Sequence, residues 1–323
     1  MNRLMSGNIT EEDVEITPNL RPYTLQSFIG QTRQMHNLKV FLNAAKERNE
    51  ALDHVIIYGP PGLGKTTLSH IIATEMESNI KVTAGPILTK VGDLAAILTN
   101  LQEKDVLFID EIHRLNRAVE ESLYSAMEDF GLDLVIGEGP TARMLRINLP
   151  KFTLVGATTR LGLIANPLKD RFGIPISLDF YTITELKEII SIYARKIGVK
   201  ITDEAAEEIA KRSRGTPRIA IRLLRRIRDF SSTIDSNVTI NALYRMDIDE
   251  IGLDSLDLKY IQYIHTKCND GPVGIETIVA GISEDIHTVE DVIESYLLQI
   301  GFIMKSPKGR ILTQNCLNHI KKN

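Results

Sequence analysis

No uninterrupted apolar run in this sequence reaches the roughly 18 residues that a membrane-spanning helix needs. The opening stretch MNRLMSGNITEEDVE is acidic and polar where a secretion signal would carry an apolar core. Both absences lead us to expect a soluble chain in the cytoplasm, with no membrane contact. Cysteine is scarce: Cys268 and Cys316 are the only two, far apart and without metal-ligand spacing around them. That excludes a disulfide scaffold and a zinc ribbon, and predicts reduced thiols. An excess of positive charge is missing too. The formal net charge is −4, so the chain does not coat nucleic acid by bulk charge, and any such contact must come from a local basic patch. Internal repeats and low-complexity tracts are also absent.

What remains is a chain of 323 residues, long enough for two or three domains. Its first part alternates short apolar runs with helical patterns, the signature of an α/β fold with a parallel sheet. His54–Tyr58, Val106–Ile109 and Phe152–Ala157 read as buried strands, and polar residues follow each. In open α/β sheets, ligands sit at that strand edge. After Tyr181 the strands stop. Thr184–Lys196, Thr202–Ser213 and Arg218–Phe230 read as amphipathic helices with Thr184 and Thr202 as caps, and Asn237–Met246 as a fourth helix. Asp247–Leu256 reads as a linker. The last part shows helical patterns at Asp257–Lys267, Ile275–Ile282 and Thr288–Ile300, then apolar Phe302–Met304 and Ile311–Thr313 joined by Lys305–Arg310. Three helices followed by a β-hairpin make a winged helix. Domain boundaries therefore fall at 1–182, 183–254 and 255–323.

Gly59-Pro60-Pro61-Gly62-Leu63-Gly64-Lys65-Thr66 matches G-x-x-x-x-G-K-[ST] in full. Glycines let the backbone turn its N–H groups onto phosphate oxygens. The helix that follows, Lys65–Met76, presents its positive dipole end to the same oxygens. Lys65 would reach the β- and γ-phosphates of ATP, and the Thr66 hydroxyl would bind Mg²⁺. The strand Val106–Ile109 runs into Asp110-Glu111. Asp110 would hold Mg²⁺ through its water shell and Glu111 would polarise the attacking water. Thr158 and Thr159 end the third strand, where a hydroxyl would sense the γ-phosphate or simply close the strand.

Arg171, in Lys169-Asp170-Arg171-Phe172, sits where a loop arginine would reach a neighbouring subunit's phosphate or pair with Asp170. Lys211–Arg228 holds eight basic residues and no acid, which reads as a solvated or intersubunit face more readily than as a DNA contact. Arg218 starts a helix there and would fold back onto nucleotide.

Taken together these motifs resemble the RuvB family, the bacterial Holliday-junction branch-migration motors of the AAA+ class. The match runs from about Asn19 and includes Phe28-Ile29-Gly30-Gln31, Gly59–Thr67, Asp110–Leu115, Thr141–Pro150, Gly156–Arg160 and Pro167–Ile174. It continues in Gly215–Ala220, Arg222–Phe230, Gly271-Pro272-Val273-Gly274 and Ser306–Arg310. The resemblance implies a P-loop AAA+ large domain, a small all-helical lid and a C-terminal winged helix. It further implies that Leu20, Arg21 and Tyr181 flank adenine, that Gly62, Gly64, Lys65, Thr66 and Thr67 hold phosphates and Mg²⁺, and that Thr159 and Arg218 are first and second sensors. Arg171 would be an arginine finger given across a subunit interface, and Glu128, Asp129 and Phe130 would lie at a nucleotide-proximal helix end. A hairpin over Leu132–Leu149 would dock the junction-binding partner RuvA. The implied activity is ATP hydrolysis by a homo-hexameric ring that moves duplex DNA at Holliday junctions without sequence preference. Its setting would be recombination, DNA repair and the SOS response to DNA damage, with the RuvC resolvase as a further partner.

At the DNA end the sequence departs from the family. The wing commonly reads Arg-Thr-Pro-Arg-Gly-Arg and here reads Lys305-Ser306-Pro307-Lys308-Gly309-Arg310, so charge survives while bidentate geometry is lost at two positions. A position often Arg is Ile286, and no DNA contact is expected there. From Ser255 onward seven Lys/Arg stand against eight Asp/Glu, a formal −1. DNA contact is expected from Lys305, Lys308 and Arg310. Three other readings stay open on residues alone: a protein-binding AAA+ switch, a nucleotide kinase, and a winged-helix regulator that uses ATP as a signal.

Overall fold

The computed structural model describes residues 4–5, 21–136 and 143–321. Two compact units meet between Tyr181 and Thr182. Among the described residues no helix is long and apolar enough to cross a membrane.

In the first unit, α1 (Thr32–Arg48) precedes β1 (Val55–Tyr58), α2 (Lys65–Glu75), β2 (Ile80–Ala84), α3 (Val91–Leu98), β3 (Val106–Asp110) and α4 (Arg117–Glu128). A hairpin of β4 (Gly131–Ile136) and β5 (Arg143–Asn148) follows, then β6 (Thr153–Thr158) and β7 (Ile174–Ser177). The sheet order is β2-β3-β6-β1-β7, with every pairing parallel. All of β6 is buried, and β3 is buried up to Asp110. Central parallel strands are covered on both faces, so they read as continuous apolar runs. That is why they are visible in the sequence. By contrast β2 forms the sheet's edge, with Val82 55% exposed, and its mixed pattern hides it. Helix α4 shows how the helices are specified: Asn116 Oδ1 accepts from Val119 N at 3.0 Å. Val119, Leu123, Ala126 and Met127 then form its buried stripe.

In the second unit come α5 (Ile183–Lys196), β8 (Lys200–Ile201), α6 (Asp203–Lys211), α7 (Pro217–Arg228), β9 (Thr233–Ile234) and α8 (Ser236–Arg245). Next are α9 (Ser255–Cys268), α10 (Ile275–Ile282) and α11 (residues 286–299, with a π-helical middle at Val289–Glu294). They are followed by β10 (Ile303–Ser306), β11 (Gly309–Leu312) and α12 (Gln314–Ile320). Strands do not stop entirely after Tyr181, since β8 and β9 make a two-residue parallel pair. The cap of α5 is Thr182, not Thr184. Thr182 Oγ1 accepts from Glu185 N at 3.3 Å, and Glu185 Oε2 accepts back from Thr182 N at 2.8 Å. This reciprocal box satisfies two backbone donors, which Thr184, already the second residue of the helix, cannot do. Thr202 caps α6 as expected.

The segment expected as a linker is packed rather than loose. Asp249 Oδ1 accepts from Ile251 N and Leu253 N, His319 Nε2 lies 3.0 Å from Asp249 Oδ2, and Leu253 is fully buried. Gly252 has φ +83°, and a Cβ there would stand 2.5 Å from Arg212 O, so only glycine fits. The basic run also differs from the exposed face expected of it. Arg212, Arg214 and Arg222 are buried. Arg212 pairs with Glu208 one turn back and donates to Asp249 O at 3.1 Å, while the acid of Arg214, Asp257, lies too far along the chain for spacing to reveal it.

Replacing Thr182 with Ala is expected to cost about 1 kcal/mol, whereas Thr184→Ala stays within about 0.5 kcal/mol. Chemical denaturation followed by helical signal measures both, and equal effects would return the cap to Thr184.

Candidate functional site

The parallel sheet places three strand ends side by side, since β6 lies between β1 and β3. The phosphate loop leaves β1 at that edge. Gly59 has φ +143°, and a Cβ would meet Leu178 O at 2.4 Å. Gly64, at φ +100°, caps α2. Lys65 is 6% exposed, and its Nζ donates to Gly59 O at 2.8 Å and Pro60 O at 2.9 Å. Thr66 and Thr67, both half-buried, complete the first turn. Tyr181 is buried and its hydroxyl donates to Leu63 O at 3.2 Å, so the tyrosine lies against the loop. Arg21 is half-buried, and burial holds its pKa below the usual value. Leu20 lies outside the described residues.

One contact here is invisible to motif reading. Gln31 Nε2 donates to Asp179 O at 2.6 Å, and Gln31 Oε1 accepts from Asp179 N at 3.1 Å. The amide thus pairs with the backbone just beyond β7 and ties the start of α1 to the Tyr181 segment. This gives Phe28-Ile29-Gly30-Gln31 a structural purpose.

At the end of β3, Asp110 Oδ1 accepts from Glu111 N at 2.9 Å, and Glu111 adopts the left-handed conformation at φ +48°. Non-glycine residues enter that region at a cost, and such strain collects at functional sites. Thr159 Oγ1 donates to Glu111 Oε2 at 3.5 Å. His113 Nδ1 stands 2.9 Å from Thr158 Oγ1 and 3.3 Å from Glu111 Oε2. Burial, and then the charge of Asp110, raise the Glu111 pKa, opposed by Lys65, Thr159 and Arg114. Lys65, Asp110, Glu111 and Thr159 therefore share one edge, and His113 is a member that spacing did not single out. The hard oxygens of Thr66 and Asp110 fit a divalent cation. The Lys65 ammonium and the α2 N-terminus fit polyphosphate.

Other expected residues lie elsewhere. Arg171 precedes β7, whose Ile174 is in register with Val55 at the start of β1. It is therefore at the sheet edge opposite the phosphate loop. Its Nη2 donates to Glu128 Oε2 at 2.8 Å, its Nη1 to Pro167 O at 2.6 Å, and its guanidinium lies 4.7 Å from the Tyr124 ring centroid. It does not pair with Asp170. Asp129 pairs with Arg146 at 3.1 Å. Phe130 packs on His54 and Phe152, at the starts of β1 and β6. Glu128, Asp129 and Phe130 thus belong with Arg171 at the far edge and not with this chain's own phosphate loop. Arg218 is the second residue of α7 and half-buried.

The hairpin loses burial along its length: Leu149 is buried, Ile147 half-buried, Leu145 46% and Met144 74% exposed. The turn Gly137-Glu138-Gly139-Pro140 lies outside the described residues.

In the winged helix the hairpin is tighter than read from sequence. The strands continue to Ser306 and from Gly309, leaving Pro307-Lys308 as the turn. The Gly271–Gly274 motif supports it. Val273 and Arg310 exchange backbone hydrogen bonds at 3.0 and 2.8 Å, and a Cβ on Gly309 would stand 2.3 Å from Val273 O. The wing's cations also pair within the fold. Glu294, fully buried at the end of the π-helical turn, accepts from Lys305 Nζ and Arg310 Nε, each at 2.7 Å, and from Tyr260 Oη at 3.0 Å. Two of the three expected DNA contacts are thus drawn onto one carboxylate, since a buried charge must be paired. Lys308 is exposed at the tip and pairs with no described carboxylate. Ile286 is 39% exposed.

A parallel sheet with a phosphate loop, an acid pair and a polar strand end on one edge, followed by a helical lid and a winged helix, defines a P-loop ATPase of the AAA+ class. Models of the Holliday junction DNA helicase RuvB P-loop domain, the RuvB AAA lid domain and the RuvB C-terminal winged helix domain match residues 20–178, 181–249 and 250–321. A Holliday junction branch migration complex subunit RuvB from Ehrlichia canis (strain Jake) is 57% identical over 327 residues, covering 99% of this chain and 98% of its own. One from Rickettsia africae (strain ESF-5) is 55% identical, covering 99% and 95%. The solved Thermotoga maritima RuvB Holliday junction branch migration motor is 51% identical with a TM-score of 0.85, covering 94% of this chain and 98% of its own. The chain belongs to the RuvB family.

Burial pushes the Glu294 pKa up, but Arg310 and Lys305 outweigh it and the carboxyl lies below its ordinary value. A depressed carboxylate gives stability above its unfolded pKa and loses it as pH falls through the folded one. Glu294→Gln is therefore expected to cost about 1–3 kcal/mol at pH 7. The gap to wild type should close as pH falls below the carboxylate range. A gap constant with pH in denaturation curves would remove the charge from the account.

Proposed function

We propose that this chain is the ATP-driven motor subunit of a Holliday-junction branch-migration complex, acting in recombination and recombinational repair. The observation that carries the reading is the gathering of Lys65, Asp110, Glu111 and Thr159 on one sheet edge, in a chain that ends in a winged helix. ATP is the substrate. Gly62, Gly64, Lys65, Thr66 and Thr67 hold its phosphates, and Arg21 and Tyr181, with Leu20, flank the base. Thr66 and Asp110 hold Mg²⁺, which neutralises phosphate charge when bound. Glu111 orients and polarises the attacking water, kept in place by Thr159 and His113. Arg218 answers the nucleotide's state from the lid.

Arg171 lies on the edge away from the loop of its own chain. It serves the nucleotide of an adjacent copy, with Glu128 and Asp129 beside it, which calls for a ring, six-membered in this reading. The Met144–Leu145 end of the hairpin is an apolar surface suited to a RuvA-type partner, and a RuvC-type resolvase would act downstream. The wing meets the duplex through phosphate, chiefly at Lys308, so sequence preference is negligible. A ring sums these weak contacts. The setting is the cytoplasm.

The decisive experiment is migration of a synthetic four-way junction with RuvA, Mg²⁺ and ATP, with Lys65→Ala as control. Migration that needs ATP and Lys65 is expected, and ATP consumption without movement would overturn the motor. Glu111→Gln is expected to bind ATP but hydrolyse it about 10²–10⁴-fold more slowly. Arg171→Ala should lose on the order of 10³-fold. Mixing the two inactive variants should restore hydrolysis, because an intact Glu111 site then meets an intact Arg171. No recovery on mixing would place Arg171 outside a shared site.

A further inference from the structure

Arg214 is the deepest arginine in the lid, and its acid and its aromatic partner belong to the winged helix. Its side chain is 3% exposed and forms an ion pair with Asp257, whose side chain is fully buried in the first turn of α9. Its Nε donates to Gly252 O at 2.8 Å, and its guanidinium lies 4.7 Å from the Tyr296 ring centroid. Tyr296 in turn donates its hydroxyl to Ile251 O, so the aromatic face and the packed 249–253 segment close around one cation. Nη1 of Arg214 is buried with no acceptor, and the backbone is left-handed at φ +51°. Left-handed backbone and an unsatisfied buried donor both oppose folding. A buried ion pair is also an inefficient way to glue two domains, since apolar residues of similar volume often do as well or better. What the pair adds is geometry. A planar guanidinium held by a carboxylate, a carbonyl and a ring fixes an angle, which apolar packing does not.

The other end of the same turn explains why an angle would matter. Thr216 Oγ1 donates to Arg214 O at 3.2 Å, and Thr216 N donates to Ser213 O at 2.9 Å. Thr216 is the cap residue of α7, and Arg218 is that helix's second residue. One rigid turn therefore carries Arg218, which answers the nucleotide, and Arg214, which grips the winged helix.

We propose that Arg214 is a positioning residue of the motor: its clamp on Asp257 and Tyr296 makes the lid and winged helix turn as one lever, so that nucleotide-driven lid movement reaches the DNA. The clamp rests on the motor reading for its purpose, though not for its existence.

Two readouts separate these. In the full chain, Arg214→Met and the neutral pair Arg214→Met/Asp257→Asn are compared with wild type for ATP turnover, duplex affinity and junction movement per ATP consumed. Turnover and affinity are expected within about twofold of wild type, with movement per ATP down at least about tenfold and partly recovered in Arg214→Lys. If the single variant does not fold, the double, which removes the Arg214 and Asp257 charges together, is judged by the same criteria. Unchanged movement per ATP in a folded variant overturns the proposal. Independently, spin labels at Tyr244→Cys on the lid and Met304→Cys on the wing, in a Cys268→Ser background, report the spread of lid-to-wing distances. A narrow distribution in wild type that broadens in Arg214→Met is expected, and equal widths overturn the clamp. If wild type itself fails to move junctions while the distribution still broadens, the motor reading falls and the clamp stands.

Discussion

The constraint on which the nucleotide site depends is that β6 must be hydrogen-bonded on both sides. A fully buried strand leaves no backbone group for water, so it needs parallel neighbours in register, and those neighbours are β1 and β3. Parallel pairing puts all C-terminal ends on one edge. The phosphate loop, the acid pair and the threonines are then neighbours even though about a hundred residues separate the first from the last. The same pairing sends Arg171 and Phe130 to the opposite edge. One sheet therefore carries two chemically different edges, with the phosphate loop and acid pair on one and Arg171 on the other.

Legibility of the sequence followed the range of the interactions. The phosphate loop was readable because its chemistry requires contiguous residues, and β3 and β6 because burial on both faces makes an unbroken apolar run. Asp110, Glu111 and Thr159 were found as the polar ends of those runs. Edge strand β2 escaped because one exposed face gives no such run. His113 went unassigned because its importance comes from Thr158, and Gln31 because its amide meets Asp179. Arg214 looked like one more cation in a basic stretch until Asp257 appeared beneath it. The cap of α5 was misplaced by two residues for a smaller reason: two threonines compete, and only Thr182 has Glu185 at the spacing of a reciprocal box.

Charge is where linear reading misled most. Spacing presents the basic run and the wing as cations facing outward, yet Arg214 just before α7, and Lys305 and Arg310 of the wing, donate to acids inside the fold. In the lid this ties the turn before α7 to the first turn of α9. In the wing it gives a hairpin held down on α11, where the π-helical turn delivers Glu294 to the hairpin's base. Net charge alone gives no hint that Arg212, Arg214 and Arg222 are buried while the other cations of the run stay at least partly exposed.

The pairing at Glu294 has a consequence for grip. A protein that walks along a polymer must let go as readily as it takes hold. Each firm ion pair with phosphate would have to be broken at every step, acting as friction against the stroke. Where Lys305 and Arg310 answer to Glu294, fewer cations of the wing are left to answer to phosphate, and that friction is smaller.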